Sequence, residues 1–444
     1  MTTQIFLAST LYGTATLAAA LDSDCFGAAD RRILLVCNNA ATPETTPAPS
    51  EMPGFERLRG RFDDVVSWNE VIAPFHPGGW APRLDDVPLW ERHVRMLWRL
   101  GDDPVELAVE SIQVNPALGF CQIFTGAPVT VYADGLMSYG PTRNKIDPLV
   151  GTRVDRLLHL DLVPGLKPLL LTEFGVRPEI VPTDAFLKVL AELADTGDEV
   201  PKADEPALLL GQYLSALGIL TPEEEEDLHA RMLEGAVGLG HRRVVFKPHP
   251  SAPARFSRVL ERRAEQLGAE LTVLGTPVLA EVLYQRMRPA LVVGCFSTAL
   301  LTASALYGIP VARTGTELLL ERLTPYENSN RVPVTIVDAL LPDLADRAAV
   351  GEQCRGMTVE RLTELVRAVG YAMQSKIYPD LRPDAEAYLT RHLDQHTWRY
   401  FKRRRLTSLA LPGGVPAQLA FIPRNATVRR VARRARALRR SGGR

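Results

Sequence analysis

Arg243-Val-Val-Phe-Lys-Pro-His-Pro250 decides how the rest of the chain is read. A short apolar run leads without a break into a turn stiffened by two prolines, which bias the residues before them away from helix. Lys247 and His249 are therefore expected at the carboxyl end of a buried strand. Helix-length amphipathic stretches lie on either side, at 222–237 and 254–267. The alternation continues with strand-like runs at 207–210, 271–274, 290–293 and 309–312 and helical spacing at 278–285 and 298–307. An earlier series has strand-like runs at 5–8, 33–37, 64–67, 105–109 and 129–132, with helices at 12–21 and 89–100. Strands alternating with helices of about 10–15 residues predict an α/β protein with parallel sheets covered on both faces.

Between the two series, Asp195-Thr-Gly-Asp-Glu-Val-Pro-Lys-Ala-Asp-Glu-Pro206 is acidic, rich in helix breakers and nearly free of large hydrophobes. It reads as a linker. The expected layout is a first Rossmann-like domain over 1–194, the linker 195–206, a second such domain over 207–375, a closing helix over 376–397 and a basic tail over 398–444. Helical spacing over 359–390 fits a segment that either closes the second domain or returns to the first. Ligands of such sheets bind at the carboxyl ends of the strands, so a cleft between the two domains is the expected site.

The 444 residues are 46% hydrophobic and 23% charged, which excludes disorder, collagen and coiled coil as descriptions of the whole chain. The net charge of −1 conceals an asymmetry: from Arg399 onward there are fourteen Lys/Arg and no Asp or Glu, leaving 37 basic against 52 acidic residues before it. The five cysteines are far apart and form no CxxC pair, so neither a disulfide framework nor a zinc site is expected. With no positively charged segment at the start of a signal peptide and no run of about 18 apolar residues, a cytoplasmic protein is expected.

Three motifs carry candidate chemistry. Lys247 and His249 both donate hydrogen bonds, and a histidine can supply a proton near neutral pH, a combination suited to a leaving phosphate. A turn histidine beside a solvated lysine is the plainer reading. In Leu291-Val-Val-Gly-Cys-Phe-Ser-Thr-Ala-Leu300, a helix begins at Ser297 or Thr298. These hydroxyls either cap that helix or, with its free N–H groups, hold an anion. Val129-Thr-Val-Tyr-Ala-Asp-Gly135 ends a strand on Asp134-Gly135, where an acid could reach the cleft as a general base, although Asp-Gly is also a common turn dipeptide. Arg143 could pair with a substrate carboxylate or a surface acid. Gln212 could meet a nucleotide base or start a helix, and Glu327 could contact a ribose or stay solvated. The acids from Glu223 to Asp227 suit a helix start. No metal-ligand spacing is present.

In order and spacing, Ala133-Asp134-Gly135, His249-Pro250 and Ser297-Thr298 resemble the acidic-acidic-Gly, His-Pro and Ser-Ser/Thr motifs of bacterial sialyltransferases, most closely the capsular polysialyltransferase-like family. Ile5-Phe-Leu-Ala-Ser-Thr10 and Leu35-Val-Cys-Asn-Asn39 are similar to the family's first two strands, and the resemblance spans roughly 1–375. It implies a GT-B fold and an inverting, metal-independent transfer of sialic acid from CMP-sialic acid to a glycan hydroxyl. Asp134 would be the general base. His249, with Lys247 and Pro250, would bind or protonate the departing CMP phosphate, whose oxygens Ser297 and Thr298 would hold. The first acidic position of the family motif is Ala133 here. That departure keeps open a catalytically silent nucleotide- or glycan-binding partner in envelope glycan assembly, beside another GT-B transferase using a CDP-activated or other nucleotide donor.

In Val428-Arg-Arg-Val-Ala-Arg-Arg-Ala-Arg-Ala-Leu-Arg-Arg440 the apolar residues share one helical face and arginines fill the remainder. With the basic aromatic run from Trp398 to Arg405, this fits an anionic inner-membrane surface engaged through 398–444. Nonspecific attraction to nucleic acid and a solvated tail are the competing readings, and no specific nucleic-acid partner is expected.

Overall fold

The computed structural model describes residues 1–195, 205–249, 252, 254–353 and 356–415. The first series of strands forms a seven-stranded parallel sheet from β1 (Thr3–Ala8), β2 (Arg31–Val36), β3 (Asp64–Ser67), β4 (Val105–Glu110), β5 (Val129–Ala133), β6 (Val154–His159) and β7 (Arg177–Ile180). Their order is β3-β2-β1-β4-β5-β6-β7. The second sheet contains β8 (Ala207–Leu210), β9 (Arg243–Lys247), β10 (Glu270–Val273), β11 (Leu291–Gly294) and β12 (Val311–Arg313), in the order β10-β9-β8-β11-β12. Both orders reverse direction beside their first strand, so each sheet is a doubly wound Rossmann-type unit with its ligand crevice at that reversal. Two such units facing one another define the GT-B architecture.

Strand alternation places two cores on the first sheet. Phe6, Ala8, Leu34, Val36, Ala108 and Tyr132 face helix α1 (Leu11–Asp22), whereas Ile5, Leu7, Ile33, Leu35, Val109 and Val131 face the other side. The α1-side core is continuous with that of the second sheet, and the Thr183–Ala194 helix packs against both α1 and the Ala280–Met287 helix.

The helical stretch expected over 359–390 is two helices, Val359–Gln374 and Arg382–His392, separated around Pro379. It returns to the first sheet. Tyr378 donates its hydroxyl hydrogen among the Thr142 hydroxyl, the Leu169 carbonyl and the Glu173 carboxylate, and its oxygen accepts from the Thr142 N–H at 2.9 Å. Gln374 reaches the Arg143 carbonyl at 2.6 Å.

The segment expected to begin a basic tail differs from that expectation, because 398–415 is folded onto the second domain. Tyr400, Phe401 and Leu406 are buried, the Tyr400 hydroxyl donates to Asp338 at 2.8 Å, and Arg405 donates to the carbonyls of Ala372 and Met373. Its aromatic and apolar residues give it a face to bury; the arginines on that face find carbonyls and carboxylates. Residues 196–204 of the expected linker and the basic helix expected near 428–440 lie outside the described residues, as does Cys354. Cys25, Cys37, Cys121 and Cys295 are free thiols.

Candidate active site

The two sheets bring their carboxyl ends together at Gly135 and Thr298. A Cβ placed on Gly135 would stand 3.2 Å from Thr298 Oγ1, so the turn after β5 and the helix after β11 touch. Beside this seam lies a cavity of about 220 Å³, lined by Tyr12, Leu210, Gly211, Lys247, Leu279, Ala280, Glu281, Ser297, Thr298 and Ala299. One wall is α1 of the first domain; the others come from the ends of β8, β9 and β11 in the second.

Asp134 follows β5 on the first-domain side. Tyr132 points to the α1 face, so Asp134, two residues on, starts from the same face, while Ala133 packs into the opposite core. Gly13, in the first turn of α1, packs closely against the Thr10 and Tyr132 hydroxyls, with the carboxyl beside them. A Cβ there would lie 3.1 Å from the Thr10 and Tyr132 hydroxyl oxygens and 3.4 Å from Asp134 Oδ2. Burial pushes the Asp134 carboxyl up to about 6. It would thus ionise within the range where a general base is useful.

On the second-domain side, burial lowers the proton affinity of Lys247, partly offset by the Glu281 carboxylate. Glu281 is itself buried, which raises it, and it accepts the Thr302 hydroxyl at 2.8 Å. Among the described residues the Tyr12 hydroxyl has no hydrogen-bond partner, and burial first, then the Glu281 and Asp134 charges, raise it well above the usual tyrosine range. His249 follows β9, exposed at the residue level, with its ring centroid 6.3 Å from that of Tyr213. Its proton affinity is lowered by desolvation and then by the Lys247 ammonium, against the pull of Glu225. Pro250 lies outside the described residues.

Ser297 caps the Thr298–Tyr307 helix, accepting the Ala299 N–H at 3.3 Å. Gln212 accepts the Phe296 N–H at 2.9 Å, tying the loop after β8 to the one that leads into this cap. Its carbonyl oxygen serves the loop itself.

Of the expected site residues, Lys247, Ser297 and Thr298 line this cavity, Asp134, His249 and Gln212 lie on the turns and loops around it, and two sit elsewhere. Glu327 is paired with Arg405 at 2.8 Å and does not line the cavity at the seam. The burial of 398–415 that brings Arg405 there could not be read from the local sequence around Glu327. Arg143 lines a separate cavity of about 660 Å³ with Lys145, Gln374 and Lys376, and its guanidinium is 3.4 Å from the Ser329 hydroxyl.

Two other carboxylates were not singled out by the sequence reading. Glu225, expected only to suit a helix start, is fully buried. It accepts the N–H groups of Leu214 and Ser215 at 2.7 and 2.9 Å and the Ser215 hydroxyl at 2.6 Å, which fixes the loop after β8. Glu110 ends β4 and accepts the Ser9 N–H at 3.3 Å. An acid at the carboxyl end of the strand beside β1 was the available signal.

Two doubly wound domains with their strand ends turned toward one another make a GT-B fold. The family model of the alpha-2,8-polysialyltransferases matches residues 4–316, and the chain belongs to that family; it is a glycosyltransferase. Solved structures similar to it include MurG of Acinetobacter baumannii (12% identity over 86% of this chain and 94% of that one, TM-score 0.39). Another is the GT-B domain of a sialyltransferase from Photobacterium damselae (12%, 76% and 96%, TM-score 0.38). A third is the UDP-GlcNAc 2-epimerase of Methanocaldococcus jannaschii (12%, 72% and 91%, TM-score 0.41). Comparison with curated protein sequences gives no significant match.

Proposed function

We propose that the protein transfers sialic acid, or a related nonulosonate, from its CMP-activated form to a glycan hydroxyl by single displacement with inversion, without a metal cofactor. The observation that carries this reading is the seam at Gly135 and Thr298, which brings the turn that follows Asp134 to the start of the Thr298–Tyr307 helix. In the proposed step Asp134 takes the acceptor hydroxyl's proton as that oxygen bonds to the anomeric carbon. The bond from that carbon to the phosphate oxygen breaks, and its electron pair leaves with CMP. His249 supplies a proton to the leaving phosphate. Lys247 and the N-terminus of the Thr298–Tyr307 helix, with the Thr298 hydroxyl, offset the charge that develops there.

The environment of His249 supports this division of labour. Partial desolvation and the Lys247 ammonium favour its neutral form in the free protein, and an arriving phosphate would reverse that preference, so protonation would accompany donor binding. Lys247, His249 and the helix start supply the positive character that a metal provides in other transferases. Arg143, Lys145 and Lys376, against the Glu173 carboxylate, give the separate 660 Å³ cavity a net cationic lining suited to carboxylates on an extended acceptor. Among the described residues no helix is long and apolar enough to cross a membrane. In this reading the enzyme works in the cytoplasm and its basic C-terminal residues contact an anionic inner leaflet.

Incubation of the full chain with CMP-sialic acid and sialylated or neutral oligosaccharides, with chelator present and mass analysis of products, tests the reading. Addition of one or more sialic acid units, lost in Asp134→Asn and His249→Ala, is expected. Turnover only with a CDP- or UDP-activated donor would replace the donor assignment, and CMP binding with no turnover would support a silent binding partner instead.

A further inference from the structure

We propose that Glu110 is a second acid of this site, a positioning residue whose charge acts on Asp134 across the β4–β5 strand ends and so sets the pH range over which Asp134 acts as a base. The proposal rests on the transfer reading above. Its geometric ground is the sheet reversal: β4 lies beside β1, so Glu110 ends at the crevice where a doubly wound sheet takes its ligand. In the β4–β5 register Glu110 stands opposite Tyr132, whose hydroxyl donates to the Leu7 carbonyl at 2.9 Å and is 3.5 Å from Glu110 Oε2. Glu110, Tyr132 and Asp134 therefore start from the α1 face, whereas position 133 faces the opposite core. An acid at 133 would begin on the wrong face to meet Asp134, and Glu110 supplies from the neighbouring strand what that position lacks.

The groups that face Glu110 are Asp134 and Tyr132 from β5, the Ser9 N–H and hydroxyl from the turn before α1, and the buried Cys37 thiol just past β2. Burial raises the Glu110 carboxyl, the Ser9 hydrogen bonds oppose that, and the Asp134 charge raises it further, to about 7. Asp134 thus ionises first, beside a neutral Glu110. When Glu110 then ionises, its charge raises the basicity of Asp134. Carboxyls whose charges act on one another titrate as a pair.

Glu110→Gln tests the proposal because the amide oxygen still accepts the Ser9 N–H while the titrating charge is lost. The Asp134 carboxyl carbon is followed by NMR in the full chain with 13C-labelled aspartate, assigned by Asp134→Asn. Its titration between pH 5 and 9 should be biphasic in the wild type and reduce to a single step in Glu110→Gln. With donor and acceptor, kcat/KM of Glu110→Gln should match the wild type near pH 6 and fall about three- to tenfold behind it by pH 8, with KM little changed. Identical Asp134 titrations in the two proteins would overturn the proposal. So would parallel pH profiles for Glu110→Gln and wild type with loss of activity confined to Glu110→Ala, the mark of a structural acceptor for Ser9. The NMR titration needs no substrate, so it decides the proton coupling even if the donor assignment fails.

Discussion

Replacing Gly135 with alanine perturbs the seam without straining the backbone. Gly135 has φ −136° and ψ 177°, an extended conformation open to any residue, so the added methyl acts only through what it meets. It meets Thr298 Oγ1 at 3.2 Å, a few tenths of an ångström inside ordinary van der Waals contact, and the start of the Thr298–Tyr307 helix must give by that amount. Overpacking costs about 1–3 kcal/mol where nothing yields. One hydroxyl at a domain seam can yield, so a loss of about 1 kcal/mol is expected. Catalysis is more sensitive, since a misplacement of about 1 Å costs roughly a hundredfold and a few tenths about three- to tenfold. Thermal unfolding and kcat/KM for Gly135→Ala, Thr298→Ala and the double variant form the assay. Thr298→Ala should lower kcat/KM through its lost hydroxyl, and in that background Gly135→Ala should cost little more. Equal cost of Gly135→Ala in both backgrounds, or none in either, would refute the argument that the two domains meet through this pair.

Asp134→Asn should trade activity for stability. A carboxyl raised on folding stabilises the native state fully only below the unfolded value near 3.8, and that contribution is lost as pH rises through about 6. The amide has no such loss, so Asp134→Asn should gain about 1–3 kcal/mol on the wild type between pH 4 and pH 8 in denaturant titrations while transfer falls at least about a hundredfold. Glu225→Ala removes the acceptor of three hydrogen bonds that hold the loop after β8 and should destabilise by about 3 kcal/mol in thermal or denaturant unfolding, with weaker nucleotide binding. Tyr378→Phe leaves the Thr142 N–H and the Glu173 carboxylate without their shared partner and should cost about 1–3 kcal/mol in denaturant unfolding.

Ten of the twelve strands announce themselves as apolar runs. β6 and β7 do not: Val154–His159 begins with Val-Asp-Arg, and Arg177–Ile180 is an exposed edge strand carrying a proline, so neither presents a hydrophobic signal. The motif residues could be placed at strand ends because a parallel α/β pattern sends every strand's carboxyl end to one side. Which of them meet could not be read, since the seam at Gly135 and Thr298 depends on how the two sheets dock. Glu110 escaped notice because its importance lies in register with Tyr132 across a strand pair. Glu225 was hidden in a run of acids whose other members do suit a solvated helix start. The aromatic residues among the arginines at 398–405 give that segment a face to bury, a signal that the charge of the run obscures.

The central claim is that Lys247, His249 and the helix start at Thr298 receive the phosphate of a cytidine nucleotide. Calorimetric titration of the full chain with CMP, CDP and UDP, in chelator and in two buffers of different ionisation enthalpy, tests it most directly. The account predicts saturable binding of CMP over UDP, with proton uptake above pH 7 that disappears, along with about tenfold of the affinity, in His249→Ala. No CMP binding, a preference for UDP, or CMP binding unaffected by His249→Ala would contradict it.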